Sequence, residues 1–300
     1  MSEWWRKYEG HVPGAGIDYP EESWLLLKSS KGCKLDTYRY HIPNPQALVF
    51  LFHGMHVSSF NFAYTASILY QNNFAVLAFD QESHGNSGGP RGNIRSVDEY
   101  VNCGIEYISK AREHYSEGTP VFIIGESMGG AICVNIALQI PNIVTGMILF
   151  APALGINPDL EPWLVKIIRC LACCCPGLPT KPADISMLSR NPYVEQYQRE
   201  NPVNYNGRLN ARTGAALLRA FDELSPQLGN VRVPFILFQG GDDIMVSEQL
   251  NKDFVKNSKV EDKELVYYKE MRHDICHEPE IFEITQKIVD WINKRAPSKS

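Results

Sequence analysis

The stretch Val121-Phe-Ile-Ile-Gly-Glu-Ser-Met-Gly-Gly-Ala-Ile132 decides the reading of this chain. A short apolar run is followed at once by a glycine-flanked serine and then by a segment of helical character. That order predicts a buried strand, a sharp turn carrying Ser127 and a helix, the setting in which a Gly-x-Ser-x-Gly pentapeptide exposes a nucleophile. Glycines two residues either side of the serine let neighbouring backbone approach closely. The hydroxyl would stand at a helix N-terminus, where N–H groups and the dipole favour developing negative charge.

Outward from this turn, apolar runs alternate with segments of helical period, the pattern of βαβ units and a mostly parallel sheet of the α/β class, with helices on both faces. Buried strands are expected at Ala47–Phe52, Phe74–Phe79, Val121–Ile124, Gly146–Phe150, Pro234–Phe238 and Glu264–Tyr268. Helices fit residues 60 to 72, 97 to 115, 128 to 139, 247 to 257 and 279 to 294, and the runs near Trp24 and Leu35 suit an antiparallel edge. The rhythm breaks between about 153 and 228, which marks an insertion in an otherwise single 300-residue domain. Within it Leu160, Trp163, Leu164, Ile167, Ile168 and Leu171 share one helical face.

A serine hydroxyl needs a base within hydrogen-bond reach and a carboxylate to orient that base. In a fold of this kind they follow in chain order behind late strands. Phe238-Gln-Gly-Gly-Asp-Asp243 offers two acids; Asp243 is preferred, because Asp242 still belongs to the turn set by Gly240 and Gly241 or caps the segment that follows. His273 follows the last strand and is the expected base, with His277 its rival, more at home in a surface or capping role beside Glu278 and Pro279. Backbone N–H groups for an oxyanion are expected from Met128 and from Met55, in the loop His53-Gly54-Met55, where His53 buttresses the turn.

Composition narrows the classes. A net charge of −5 without a long basic run lacks the footprint of a nucleic-acid binder. No window reaches the ~20 apolar residues of a spanning helix and no signal-length apolar stretch opens the chain, so a cytoplasmic protein is expected. Of eight cysteines, four crowd between Cys170 and Cys175, which reads as reduced thiols and supplies no zinc-finger spacing, so no metal is expected.

With these residues assembled, the chain resembles the monoacylglycerol lipase and lysophospholipase-like group of α/β-hydrolases, the serine aminopeptidase S33 or "hydrolase 4" type. The resemblance runs from about Ala47 to Trp291 through His53-Gly54, Phe79-Asp80, Ser83-His84-Gly85-Asn86-Ser87-Gly88-Gly89, Gly125-Glu-Ser-Met-Gly-Gly-Ala131, Leu188-Ser-Arg-Asn191, Val233–Gly240 and His273. It implies an α/β-hydrolase fold and cleavage of a lipid acyl ester, with monoacylglycerol as the leading substrate, by Ser127, Asp243 and His273 through an acyl-enzyme. It also implies no cofactor, and an insertion that caps an apolar acyl tunnel. Glu126 stands where that group usually has histidine, and Met55-His56-Val57 replaces Ala-Gly-Glu, so the headgroup does not follow; Glu126 and Tyr197 are the candidate substrate contacts. Lysophospholipase, general carboxylesterase, acyltransferase and non-catalytic lipid-binding readings are the alternatives. The helix 160 to 171 either packs over its own domain or, with Trp163, Lys166 and Arg169, rests peripherally in a lipid interface next to cysteines suited to acylation.

Overall fold

A computed structural model describes residues 4–158, 161–179 and 184–296. Its framework is an eight-stranded sheet built from β1 (Glu21–Glu22), β4 (Thr37–Tyr40), β5 (Ala47–Phe52), β6 (Phe74–Phe79), β7 (Val121–Glu126), β8 (Gly146–Phe150), β9 (Phe235–Gly240) and β10 (Lys263–Tyr268), in the order β1-β4-β6-β5-β7-β8-β9-β10. From β6 to β10 all neighbours are parallel; β4 is antiparallel to β6 and β1 to β4. β2 (Leu27–Lys28) and β3 (Lys34–Leu35) pair separately as a two-stranded ribbon. The antiparallel edge expected near Trp24 and Leu35 is thus divided: the sheet's edge strand begins at Glu21, and Leu35 belongs to the ribbon.

The central strands are apolar throughout because both faces of a parallel sheet are covered. Every residue of β5, β6, β7, β8 and β9 is buried. β10, flanked on one side only, is half-buried. Alternation distributes the side chains: Leu48, Phe50 and Phe52 join one core, Val49 and Leu51 the other. On the first face lie α2 (Val97–Arg112), α3 (Met128–Gln139) and α7 (Glu248–Asn257); on the second, α1 (Ala63–Gln71) and α8 (Ile281–Arg295). Ser96 and Ser247 cap α2 and α7 through bonds accepted from Asp98 N and Leu250 N, which fixes α7's start one residue later than expected.

Between β8 and β9 the chain forms α4 (Pro162–Cys174), α5 (Val194–Glu200) and α6 (Ala211–Leu224). Pro162 occupies the first turn of α4, where its missing N–H costs nothing, so the helix begins two residues after the expected position. Leu160 lies outside the described residues. The expected stripe on α4 splits: Leu164, Ile168 and Leu171 are half-buried, whereas Trp163 and Ile167 are 59% and 43% exposed. α4 packs on α6, and Arg169 pairs with Asp222 across them at 2.5 Å. No residue of α4 is fully buried.

Candidate active site

Ser127, Asp243, His273 and the loop His53–Met55 all follow carboxyl ends of parallel strands, where open α/β sheets gather their ligands. Ser127 links β7 to α3 with φ 54° and ψ −117°. A non-glycine residue held at such angles costs on the order of 1–3 kcal/mol and persists only where its surroundings impose it. Ser127 N donates to Phe150 O at 2.9 Å, and its carbonyl accepts from Gly130 N and Ala153 N, each at 3.0 Å, so the turn is pinned by β8 and the segment beyond. The glycines are steric requirements. A Cβ on Gly129 would stand 1.9 Å from Phe52 O, and one on Gly125 would stand 2.3 Å from Gly129 O.

His273 Nδ1 bonds Asp243 Oδ2 at 2.8 Å. The Asp243 side chain is fully buried, and its Oδ1 accepts from Met245 N at 2.7 Å and Val246 N at 3.2 Å. Asp242 is exposed, with its N–H donated to Met271 O. The geometry therefore unites His273 with Asp243 and leaves Asp242 outside. Burial disfavours the charged His273 ring, but the Asp243 carboxylate overrides this and holds its pKa above the ordinary value of 6.5. Ser127 and His273 line one cavity of about 140 Å³, together with Gly54, Met55 and Glu126.

The early loop lies against Ser127: a Cβ on Gly54 would be 3.5 Å from Ser127 Cβ. His53 fixes that loop, with Nδ1 donating to Gly54 O at 2.8 Å and Nε2 accepting from Gln81 N at 3.0 Å, which defines its tautomer. Asp80, wholly buried, ties the adjacent segments by accepting from Tyr38 Oη, Ser59 N and Asn86 N.

Beside Ser127, Glu126 belongs to a polar wall whose other members, Asn61, Gln198 and Asp274, escaped the sequence reading. Asn61 Nδ2 donates to Glu126 Oε2 at 2.6 Å, Gln198 Nε2 donates to Asn61 Oδ1 and Asp274 Oδ2 at 3.1 Å, and Asp274 bonds His277 Nδ1 at 2.8 Å. His277 is buried here, contrary to the surface or capping role expected of it, because Asp274 three residues earlier supplies its partner. Tyr197 is likewise displaced from the expected substrate contact. Its ring packs on Trp4 and Tyr8 at 5.1 and 5.4 Å, and its neighbour Gln198 takes the place on the cavity wall. Burial, then the charge of Asp274, push the Glu126 carboxyl up to about 8. Ligand atoms of Glu126, Asp274 and Cys276 lie within 4.8 Å of one another. All eight cysteines are unbridged.

The model of the serine aminopeptidase, S33 family matches residues 43–280, well over half of the chain. The chain belongs to that family. Among relatives of this S33 hydrolase, human monoglyceride lipase is 30% identical over 258 residues, covering 85% of this chain and 84% of the relative. A monoacylglycerol lipase of Mycolicibacterium smegmatis is 25% identical, covering 83% and 89%. The crystal structure of Paleococcus ferrophilus monoacylglycerol lipase superposes on this S33 hydrolase with a TM-score of 0.76 at 27% identity, covering 86% of this chain and 99% of the other.

Proposed function

We propose that this S33 hydrolase cleaves fatty-acyl esters, with monoacylglycerol the leading substrate class, through Ser127, His273 and Asp243. The observation that carries the reading is the 2.8 Å bond between His273 and buried Asp243 in a site where His273 and Ser127 face one cavity. Asp243 holds the ring so that His273 Nε2 is the nitrogen free to take the Ser127 proton. Ser127 Oγ attacks the ester carbonyl, and the oxyanion is received by the N–H groups of Met55 and Met128. His273 then protonates the leaving alcohol, an acyl-enzyme remains, and water activated by the same ring releases the fatty acid. Similarity to two lipases that act on monoacylglycerols supports the substrate class.

The helices α4 to α6 serve as the cap, and Val57, Leu188 and Met245 provide an apolar wall for the acyl chain. Among the described residues no helix is long and apolar enough to cross a membrane. Exposed Trp163 and Ile167 on α4 give the cap an apolar surface suited to resting on a lipid interface. A panel of monoacylglycerols, lysophospholipids and short p-nitrophenyl esters of matched concentration tests the reading. Turnover highest on long-chain monoesters is expected, and confinement to short soluble esters would overturn the lipid assignment. Vesicle sedimentation of wild type and Trp163→Ala tests the interface: wild type binds and the variant binds less, and indifference of both to vesicles would remove the membrane contact.

A further inference from the structure

The hydrogen-bonded wall of Asn61, Glu126, Gln198 and Asp274 shares its cavity with Ser127 and His273. Two carboxyl groups belong to it, and both are withdrawn from solvent, Glu126 at 4% and Asp274 at 5% exposure. Asp274 is supplied with partners, His277 Nδ1 at 2.8 Å and Gln198 Nε2 at 3.1 Å. Glu126 is not. Its Oε2 accepts from Asn61, while Oε1 is buried with no hydrogen-bond partner among the described residues, the Cys276 thiol lying within 4.8 Å of the carboxyl group. Native proteins rarely leave such an atom unmatched, because a buried polar group without a partner keeps its full desolvation cost.

The charges around Glu126 define what the site lacks. The groups that act on it are Asp274, His273 and His277, with Asn61 bonded to it and Cys276 close by. His273 is matched by Asp243 and His277 by Asp274, each at 2.8 Å. Among the described residues the remaining carboxyl, on the residue preceding the nucleophile, is paired with no cation; Arg199, which also lines the cavity, is bound to Glu195 at 2.9 Å. A second buried carboxylate within 4.8 Å makes any further anion unwelcome there. Val57, Leu188 and Met245 give the same cavity an apolar lining as well, so acyl chain and alcohol head have different surfaces to meet.

We propose that Glu126, backed by Asp274, is the specificity-determining group for the leaving alcohol, favouring a head that carries a cation, such as a quaternary ammonium, over a neutral head, and a neutral head over a phosphate-bearing one. This rests on the ester-hydrolase reading above. Glu126 must be ionised to pair with the cation, and burial, then the charge of Asp274, pushes its carboxyl up to about 8. The cation therefore binds with release of a proton below that pH, and its KM falls as pH rises through about 8.

The test uses four esters of one fatty acid: the choline ester, its uncharged isostere the 3,3-dimethylbutyl ester, the 1-monoacylglycerol and the 1-acylglycerol phosphate. For wild type at pH 8.5, kcat/KM of the choline ester exceeds that of the isostere by about tenfold or more, the effect of one weakly screened charge pair, and the phosphate ester is slowest. In Glu126→Gln the ratio of choline ester to isostere collapses toward that of their non-enzymatic hydrolysis, so the inherent reactivity of the choline ester is separated from recognition. A wild-type ratio no greater than the non-enzymatic one, or a ratio unchanged in Glu126→Gln, overturns the proposal. Competitive inhibition of the wild type by choline against 3,3-dimethylbutanol gives the same contrast without any variant; equal inhibition counts against the proposal. Hydrolysis of a p-nitrophenyl ester by the same preparation keeps a failure of head selection distinct from a failure of the ester-hydrolase reading.

Discussion

Replacing Glu126 by Gln should change how stability depends on pH more than it changes stability at any one pH. Burial, and then the neighbouring Asp274 charge, push the Glu126 carboxyl up to about 8 from an ordinary 4.5. Across that interval the folded chain keeps a proton that the unfolded chain has released, so the native state binds more protons and unfolding free energy falls as pH rises. Stability from this group is complete below about pH 4.5 and is lost progressively up to about pH 8. At ~1.36 kcal/mol per pH unit the whole interval corresponds to about 5 kcal/mol, and the part between pH 5 and pH 9 to about 4 kcal/mol. Because Glu126 is 4% exposed, solvent screening takes little from this figure. Urea unfolding followed by tryptophan fluorescence at pH 5, 7 and 9 reads the effect directly. Wild type should lose about 4 kcal/mol relative to Glu126→Gln between pH 5 and pH 9. Parallel stability curves for the two proteins would refute the reasoning, since they would mean that Glu126 ionises in the fold as readily as in the unfolded chain.

Three further outcomes are expected. Asp243→Asn should leave the fold intact and lower kcat by about 10⁴-fold, because the amide supports the wrong His273 tautomer; circular dichroism and turnover of a soluble ester check both halves. With His273 as the proposed base, activity requires its neutral ring, and Asp243 holds that ring's pKa above 6.5, so kcat/KM should fall as pH drops through a midpoint above 6.5, measured on a soluble ester. Gly129→Ala sets a methyl group against Phe52 O, which Gly129 now meets without one, and should destabilise the chain by about 3 kcal/mol, read from the urea midpoint.

The sheet was legible because its strands are buried on both faces, which writes them as unbroken apolar runs such as Ala47–Phe52 and Phe74–Phe79. Two-residue strands such as Glu21–Glu22 carry no such signal, so the division of the edge into sheet and ribbon could not be read. The pairing of His273 with Asp243 was legible because the order of turn residues after late strands is imposed by the chain path. The polar wall was not, because Asn61, Glu126 and Gln198 are joined across 65 and 137 residues with no local pattern. His277 did leave a trace: an acid three residues earlier, Asp274, within the otherwise apolar turn Ile275-Cys276, is the spacing of a local buried pair. Tyr197 precedes Gln198 on α5, and at about 100° per residue that one step turns its side chain from the cavity of Ser127 to the core. Its core partners, Trp4 and Tyr8, come from an N-terminal segment whose docking has no periodic signature.

Whether Ser127 is the nucleophile is tested most directly by fluorophosphonate labelling of folded wild type and Ser127→Ala, with the modified peptide located by mass spectrometry. The strained turn, the buried His273–Asp243 pair and their common cavity lead to a phosphonyl adduct on Ser127 in wild type and none in the variant. Equal labelling of Ser127→Ala, an adduct on a different residue, or an unlabelled wild type would contradict it.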